Sequence, residues 1–423
     1  MRTLQLALPK TGIAWMFALL TISFNRITIG ELAVPALLVG ALLAIYPLLA
    51  PTQPWLGRAI DRWPLLGRRR APYLLVAMLG SAAIFPLLPG VAIGLGRGDA
   101  GALALGTVLM ILFGIGIALI ANTYLDLVAQ ATTEATRAGT FGAAWTAQTA
   151  AISLWAWVFG RQMPAFTPET MQALFNLTPL VALATTLPCL FGLEARGRAP
   201  APAAREAAPN AWRVLNSDVS ARGFFAFVVL GIIGIFLQDL VLEVLGGRVF
   251  GLSVGESTSL QQTWNGAVLL AMLGTTPLVA SRPALRLPIA TGGAIATSAA
   301  LLGLAIVAQQ ALAGLLFPVL IVLGICAGVF TGATVMLMSD MTMPGATGRY
   351  LGLWSLAQAL GTSAAFLLAG VLHTAFVERA ADVRGGYALI FTVEALMMLL
   401  SVVALRSARV RNFQARRVAA PAA

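Results

Sequence analysis

The feature that most constrains this chain is a series of apolar runs, each about 20 residues long, recurring from one end of the sequence to the other. A run of that length crosses the hydrocarbon core of a bilayer as an α-helix. Hydrocarbon offers the backbone no hydrogen-bond partner, so every N–H and C=O must be satisfied within the protein, which selects helices for spans of this length. A membrane β-barrel would need short alternating segments, and the sequence has none. Of the 423 residues, 59% are hydrophobic and 10% charged, against about 25% charged in soluble domains. The expected fold class is therefore an all-α membrane protein.

Twelve transmembrane helices are expected, over 11–30, 33–56, 71–94, 102–127, 140–160, 170–192, 223–245, 258–280, 287–308, 312–338, 350–373 and 386–405. The first run follows Arg2 and Lys10 as a signal peptide would, but no small-residue cleavage site precedes Asn25-Arg26, so it reads as a retained helix. Formal charge is +11. In a soluble protein that excess would suggest nucleic acid. Here the basic residues lie in loops between apolar spans, where topology explains them, and no nucleic-acid partner is expected. With the N-terminus inside, only Arg97, Arg161, Arg248, Arg379 and Arg384 of the 27 basic residues fall outside and Arg26 falls within span 1. The rest fall inside, so both termini are expected in the cytoplasm. Cys189 and Cys326 sit in apolar spans and read as small buried hydrophobes. No metal cluster, P-loop or nucleophile elbow is present, so no enzyme activity and no metal are expected.

The longest polar connection, 193–222, carries Pro200, Pro202 and Pro209 and divides the chain into two sets of six spans. Expected are an N-terminal half 1–192, a flexible cytoplasmic linker 193–222, a C-terminal half 223–405 and a basic tail 406–423. Weak similarity between the halves points to two pseudo-symmetric six-helix halves. Gly142 and Gln148 recur as Gly352 and Gln358, flanking Trp145 and Trp354. Span 1 carries Asn25-Arg26 and Glu31; span 7 carries Gln238-Asp239 and Glu243.

Charges at mid-bilayer are costly and normally face a bundle interior and a partner. The exceptions to apolarity are Asn25, Arg26 and Glu31 in span 1, Asn122 and Asp126 in span 4, Gln238, Asp239 and Glu243 in span 7, and Glu394 in span 12. Together, Asn25, Arg26, Glu31, Asn122, Asp126, Gln238, Asp239 and Glu243 make a candidate central polar site, for substrate or as structural ion pairs. Arg26 has three candidate partners, Glu31, Asp126 and Asp239. Asp126 and Asp340 lie toward the cytoplasmic surface and weigh less. The single histidine, His373, reads as an interfacial residue or as an axial ligand to a tetrapyrrole metal. Trp145, Trp155, Trp157, Trp264 and Trp354 suit either packing or stacking on a flat ring.

The loop after span 2 runs from Gly57 through Asp61-Arg62 to Gly67-Arg68-Arg69-Arg70. It resembles the signature loop of the major facilitator superfamily, with three extra residues before the second glycine. Gly57, Asp61, Arg62, Gly67, Arg68 and Arg69 would form a cytoplasmic latch, in which Asp61 pairs with an arginine and accepts from a helix N-terminus. The matching loop from Ser281 to Leu287 has two arginines and no acid, so any latch is expected to be one-sided. Span 5 lacks the glycine-proline pattern of drug/proton antiporters, and the exit of span 6 lacks the P-E-S-P-R run of sugar porters.

Several stretches resemble the PucC-like, or bacteriochlorophyll delivery, branch of that superfamily: Asn25-Arg26-Ile27 with Glu31-Leu32 and Val34-Pro35-Ala36, and Gly67 to Tyr73. Further similar stretches are Gln238 to Glu243 with Gly246, Val249-Phe250-Gly251 and Glu256-Ser257-Thr258, then Met338 to Thr342 with Gly352-Leu353-Trp354, and Tyr387 with Phe391 and Glu394. The resemblance runs from about residue 12 to 400. It implies a membrane assembly factor for light-harvesting antenna complexes in a phototrophic bacterium. Bacteriochlorophyll or a precursor would be its cargo, with no covalently bound cofactor. Its partners would be the lipid bilayer, light-harvesting polypeptides and pigment-synthesis enzymes. Two other readings stay open: a proton-coupled secondary transporter of small solutes using Asp239 or Glu243, and a structural subunit of a photosynthetic complex.

Overall fold

The computed structural model describes residues 2–63, 65, 70–132, 134–191, 211–343 and 347–419, nearly all of them helical. Eleven helical segments among them are long and apolar enough to cross a membrane. In the first half these are α1 (Leu4–Glu31), α2 (Ala36–Ile60), α3 (Ala71–Gly96), α4 (Ala100–Val128) and α6 (Pro168–Cys189). In the second half they are α7 (Val219–Phe250), α8 (Val254–Ser281), α9 (Pro283–Gln310), α10 (Ala313–Asp340), α11 (Arg349–Glu378) and α12 (Val383–Arg416). The helix in the fifth place, α5 (Glu134–Gln162), has 29 residues. It is richer in alanine, threonine and glutamine and stands outside that set. Several helices outrun their expected spans, because hydropathy marks the hydrocarbon-facing stretch whereas the backbone ladder continues through amphipathic turns.

The ends and bends follow local chemistry. Asp99 caps α4, accepting from Gly101 N at 2.8 Å, and Thr167 with Thr170 forms a capping box at the start of α6. Pro86 and Pro89 divide α3 into Ala71–Ala82 and Leu88–Gly96, as missing N–H groups require. Residues 211–222 were expected to be linker. Ala211–Ser217 is helical, and Asp218 then caps the start of α7 by accepting from Ser220 N at 2.9 Å. The expected basic tail is partly a helix as well: Val410–Ala419 buries Phe413, and Arg416 reaches Asp218 at 3.1 Å.

The chain divides into two compact units, one of Met1–Arg205 with Gly246–Gln262, the other of Glu206–Leu245 with Thr263–Ala423. In the first, Trp15 lies edge-on to Trp155 and Phe159, each 4.9 Å away between ring centroids. Its indole N–H donates to Thr178 Oγ1 at 3.0 Å. Tyr124 and Trp155 donate to backbone carbonyls of α1, those of Leu6 and Thr11. The core of the second unit centres on Phe224, Phe227, Phe330 and Trp354, with Trp354 donating to Met341 O at 3.1 Å. Small residues let its helices approach closely.

A Cβ placed on Gly328 of α10 would stand 2.5 Å from Val268 O of α8. Gly328→Leu should therefore force the two helices apart, at a cost of about 1–3 kcal/mol. Thermal unfolding in detergent checks this; an unchanged melting temperature would contradict the contact.

Candidate functional site

The first polar group is built by an irregularity in α1. Leu19–Phe24 and Arg26–Glu31 are π-helical. Accordingly Asn25 N–H bonds Leu20 O and Leu32 N–H bonds Ile27 O, five residues back. Such wide turns concentrate at functional positions. Their consequence here is specific: residues five apart come to one side, which an α-helix would not allow. Arg26 Nη1 thereby lies 2.9 Å from Glu31 Oε1. Of the three partners open to Arg26 in the sequence, the structure gives Glu31. Arg26 is only 5% exposed and Asn25 is fully buried.

Two glycines that sequence reasoning missed make room for the guanidinium. A methyl group on Gly30 or on Gly247 would collide with the Arg26 guanidinium. Gly247 belongs to the same compact unit as α1. Next to it, Arg248 Nη2 donates to Ile29 O at 3.4 Å.

The α4 residues have other partners. Asn122 Nδ2 donates to Gln53 O at 2.6 Å, and Asp126 Oδ2 lies 3.0 Å from Nε of Arg70, which is buried. The second unit has the same device. Arg286 Nη1 donates to Asp340 Oδ1 at 2.6 Å, while its Nε donates to Val279 O. Gln414 Nε2 reaches the other oxygen of Asp340 at 3.3 Å. In each unit an arginine beside the start of the third helix thus holds an aspartate near the end of the fourth. These pairs use residues other than those of the expected loop latch. The second loop lacks an acid, but α10 supplies one from its C-terminal end. The recurrence of Arg70 and Asp126 as Arg286 and Asp340 lies in corresponding helix ends rather than in an identical spacing, so the sequence does not announce it.

Of the latch residues expected in the loop itself, Gly57 is buried in α2 and Arg62 is exposed at its end. Gly67, Arg68, Arg69 and the side chain of Asp61 lie outside the described residues.

In α7, Gln238 and Glu243 are buried and Asp239 is half-buried. The backbone N–H of Gln238 leaves the helical ladder and donates to Glu394 Oε1 at 3.2 Å. His373 is fully buried, with Nδ1 3.1 Å from Glu378 Oε1 and Nε2 3.0 Å from Tyr387 Oη. Both ring nitrogens are engaged within the protein, by Glu378 and Tyr387. Among the tryptophans, Trp264 and Trp354 are buried packing residues. Trp157 is exposed with the Arg161 guanidinium 4.3 Å from its ring centroid. The side chain of Trp145 lies outside the described residues.

Because Glu31 and Gly247 both act through Arg26, E31Q and G247A should each lower thermal stability. Their combined effect should fall short of additive by about 0.5–3 kcal/mol. Strict additivity in a double-mutant cycle would contradict the slot.

Comparison with known proteins gives the following. A family model described as PUCC protein matches residues 23–413. The bacteriochlorophyll synthase 44.5 kDa chain of Rhodobacter capsulatus is 32% identical over 428 residues, which cover 97% of this chain and 97% of that protein. Protein PucC of Rhodobacter capsulatus is 26% identical over 424 residues, covering 95% and 90%. Among solved structures, the nucleoside transporter NupG superposes with a TM-score of 0.71 at 14% identity, covering 96% of this chain and 98% of that one. The D-xylose-proton symporter gives 0.69 at 15%, covering 94% and 96%. At such identities these likenesses show the fold alone, and that fold is the major facilitator one.

Proposed function

The chain belongs to the PUCC protein family, and on that premise we propose that it is an assembly factor for light-harvesting complexes, handling bacteriochlorophyll or a precursor within the membrane. The observation that carries the reading is the match of residues 23–413, which includes the polar residues of both α1 and α7. The 32% identity to a protein named for bacteriochlorophyll synthesis supports it. We read the chain itself as non-enzymatic, since its polar residues form no nucleophile-and-base constellation.

The Arg26 slot suits such cargo. Arg26 Nε is buried and has no hydrogen-bond partner among the described residues. A guanidinium donor in an apolar setting matches the keto, ester or carboxylate oxygens of a chlorin. We assign Asn25, Arg26, Glu31, Gln238, Asp239 and Glu243 to cargo, and Asn122 and Asp126 to bracing α4. Both termini are assigned to the cytoplasm on the distribution of basic residues. Light-harvesting polypeptides and pigment-synthesis enzymes are the partners this role requires.

A second reading, proton-coupled transport of a small solute, is favoured by the transporter fold. A deletion strain separates the two. Loss of antenna absorption with pigment synthesis intact is expected for an assembly factor, with R26Q giving a partial loss. Normal antenna absorption in the deletion strain would overturn the reading.

A further inference from the structure

The second unit contains a carboxyl group for which neither the family nor the fold supplies a use. Glu394 lies in the middle of α12 and is fully buried. One of its oxygens accepts from Gln238 N, and the other has no hydrogen-bond partner among the described residues. No cation pairs with it among the described residues. The cationic groups of the spans packed on α12 lie toward their ends: Arg222 and Arg248 on α7, Arg286 on α9, Arg349 and His373 on α11. The other titratable groups of those spans are Asp239 and Glu243 on α7 and Tyr350 and Glu378 on α11. On α12 itself, Arg384 and Tyr387 stand toward one end and Arg406, Arg409, Arg411 and Arg416 toward the other. Asp239, the residue after Gln238, is itself an acid and brings like charge rather than a counter-ion to this place.

The geometry around it is a built one. Gly234 sits one turn before Gln238, and a Cβ there would stand 3.1 Å from Met398 N. Met398 sits one turn after Glu394. The missing side chain at Gly234 thus lets α7 and α12 run close together, antiparallel, with the Glu394 carboxyl against the backbone of α7. There it opens one rung of the helix at Leu237, where the regular helix is interrupted between Val219–Phe236 and Gln238–Phe250. A side chain inserted into the ladder is a known cause of such a break. The amide of Gln238 is a second, independent sign of a polar site. It is fully buried, and neither its oxygen nor its nitrogen has a hydrogen-bond partner among the described residues.

An ionised carboxylate in this place would face several kcal/mol of uncompensated desolvation and the repulsion of Asp239. We propose that Glu394, set against the opened rung of α7 at Gln238, is a proton-binding site whose occupancy is coupled to the packing of α7 on α12. Binding adds one proton to the carboxylate and gives the neutral acid, whose carbonyl still accepts the Gln238 N–H. Losing the proton leaves a buried anion, which is relieved when α7 and α12 separate enough to admit solvent. The ligand is the proton itself, delivered from water at the membrane surface. The proposal does not depend on what cargo the protein handles.

Infrared spectroscopy of the full chain in lipid nanodiscs tests it. At neutral pH a protonated-carboxyl carbonyl band is expected, and carbon-13 labelling of glutamate should shift it. One component should vanish in E394Q and remain in D239N. A spectrum without a glutamate-assigned band, or one that E394Q leaves unchanged, overturns the proposal. If E394Q does not accumulate, G234A decides. By lifting α12 off α7 it should weaken the hydrogen bond and move the band to higher frequency, and an unmoved band overturns the proposal.

Discussion

Lipid removes water as a partner for polar atoms, and the rest of this structure depends on that one constraint. It makes the backbone helical, and it makes each intramembrane charge find a partner or stay neutral. Arg26 meets the requirement inside its own helix, by a π turn that brings Glu31 to it. Asp126 and Asp340 meet it by drawing arginines from the starts of the neighbouring helices α3 and α9. Glu394 meets it with a backbone N–H alone, which is why its protonation state becomes a functional matter.

The same constraint explains why the two units use the same brace. Arginine is suited to a half-buried pair, because its planar fork can hold a carboxylate and backbone carbonyls together. Arg286 does so with Asp340, Val279 and Ala280. A duplicated six-helix unit would carry the brace in both copies. The arginine and aspartate recur in the second unit at the corresponding helix ends, although the loop around them has changed.

Much of the fold was legible in the sequence, because hydropathy and loop charge report directly on the bilayer. Helices stand at all twelve expected places. What stayed hidden was whatever depends on backbone irregularity or on packing between distant segments. Arg26 and Glu31 are five residues apart, a spacing that ordinary helical periodicity does not pair. Gly30 and Gly247 are two of 42 glycines, and nothing local marks them as the walls of a guanidinium slot. Asp340 looked like a solvated end-of-helix residue because its partner comes from 54 residues away. His373 could be read either way until Glu378 and Tyr387 were found on its two nitrogens.

The proposed role rests on the family to which the chain belongs, whose match spans residues 23–413. The central claim is that bacteriochlorophyll or a precursor is the cargo. The most direct measurement is to purify the tagged protein from membranes of its own host while antenna complexes are forming, and to record its absorption spectrum and the polypeptides that come with it. The account predicts chlorin absorption and light-harvesting polypeptides in amounts that fall once the complexes are complete. A preparation free of chlorin and of antenna polypeptides, or one bound at fixed stoichiometry in finished complexes, would contradict it.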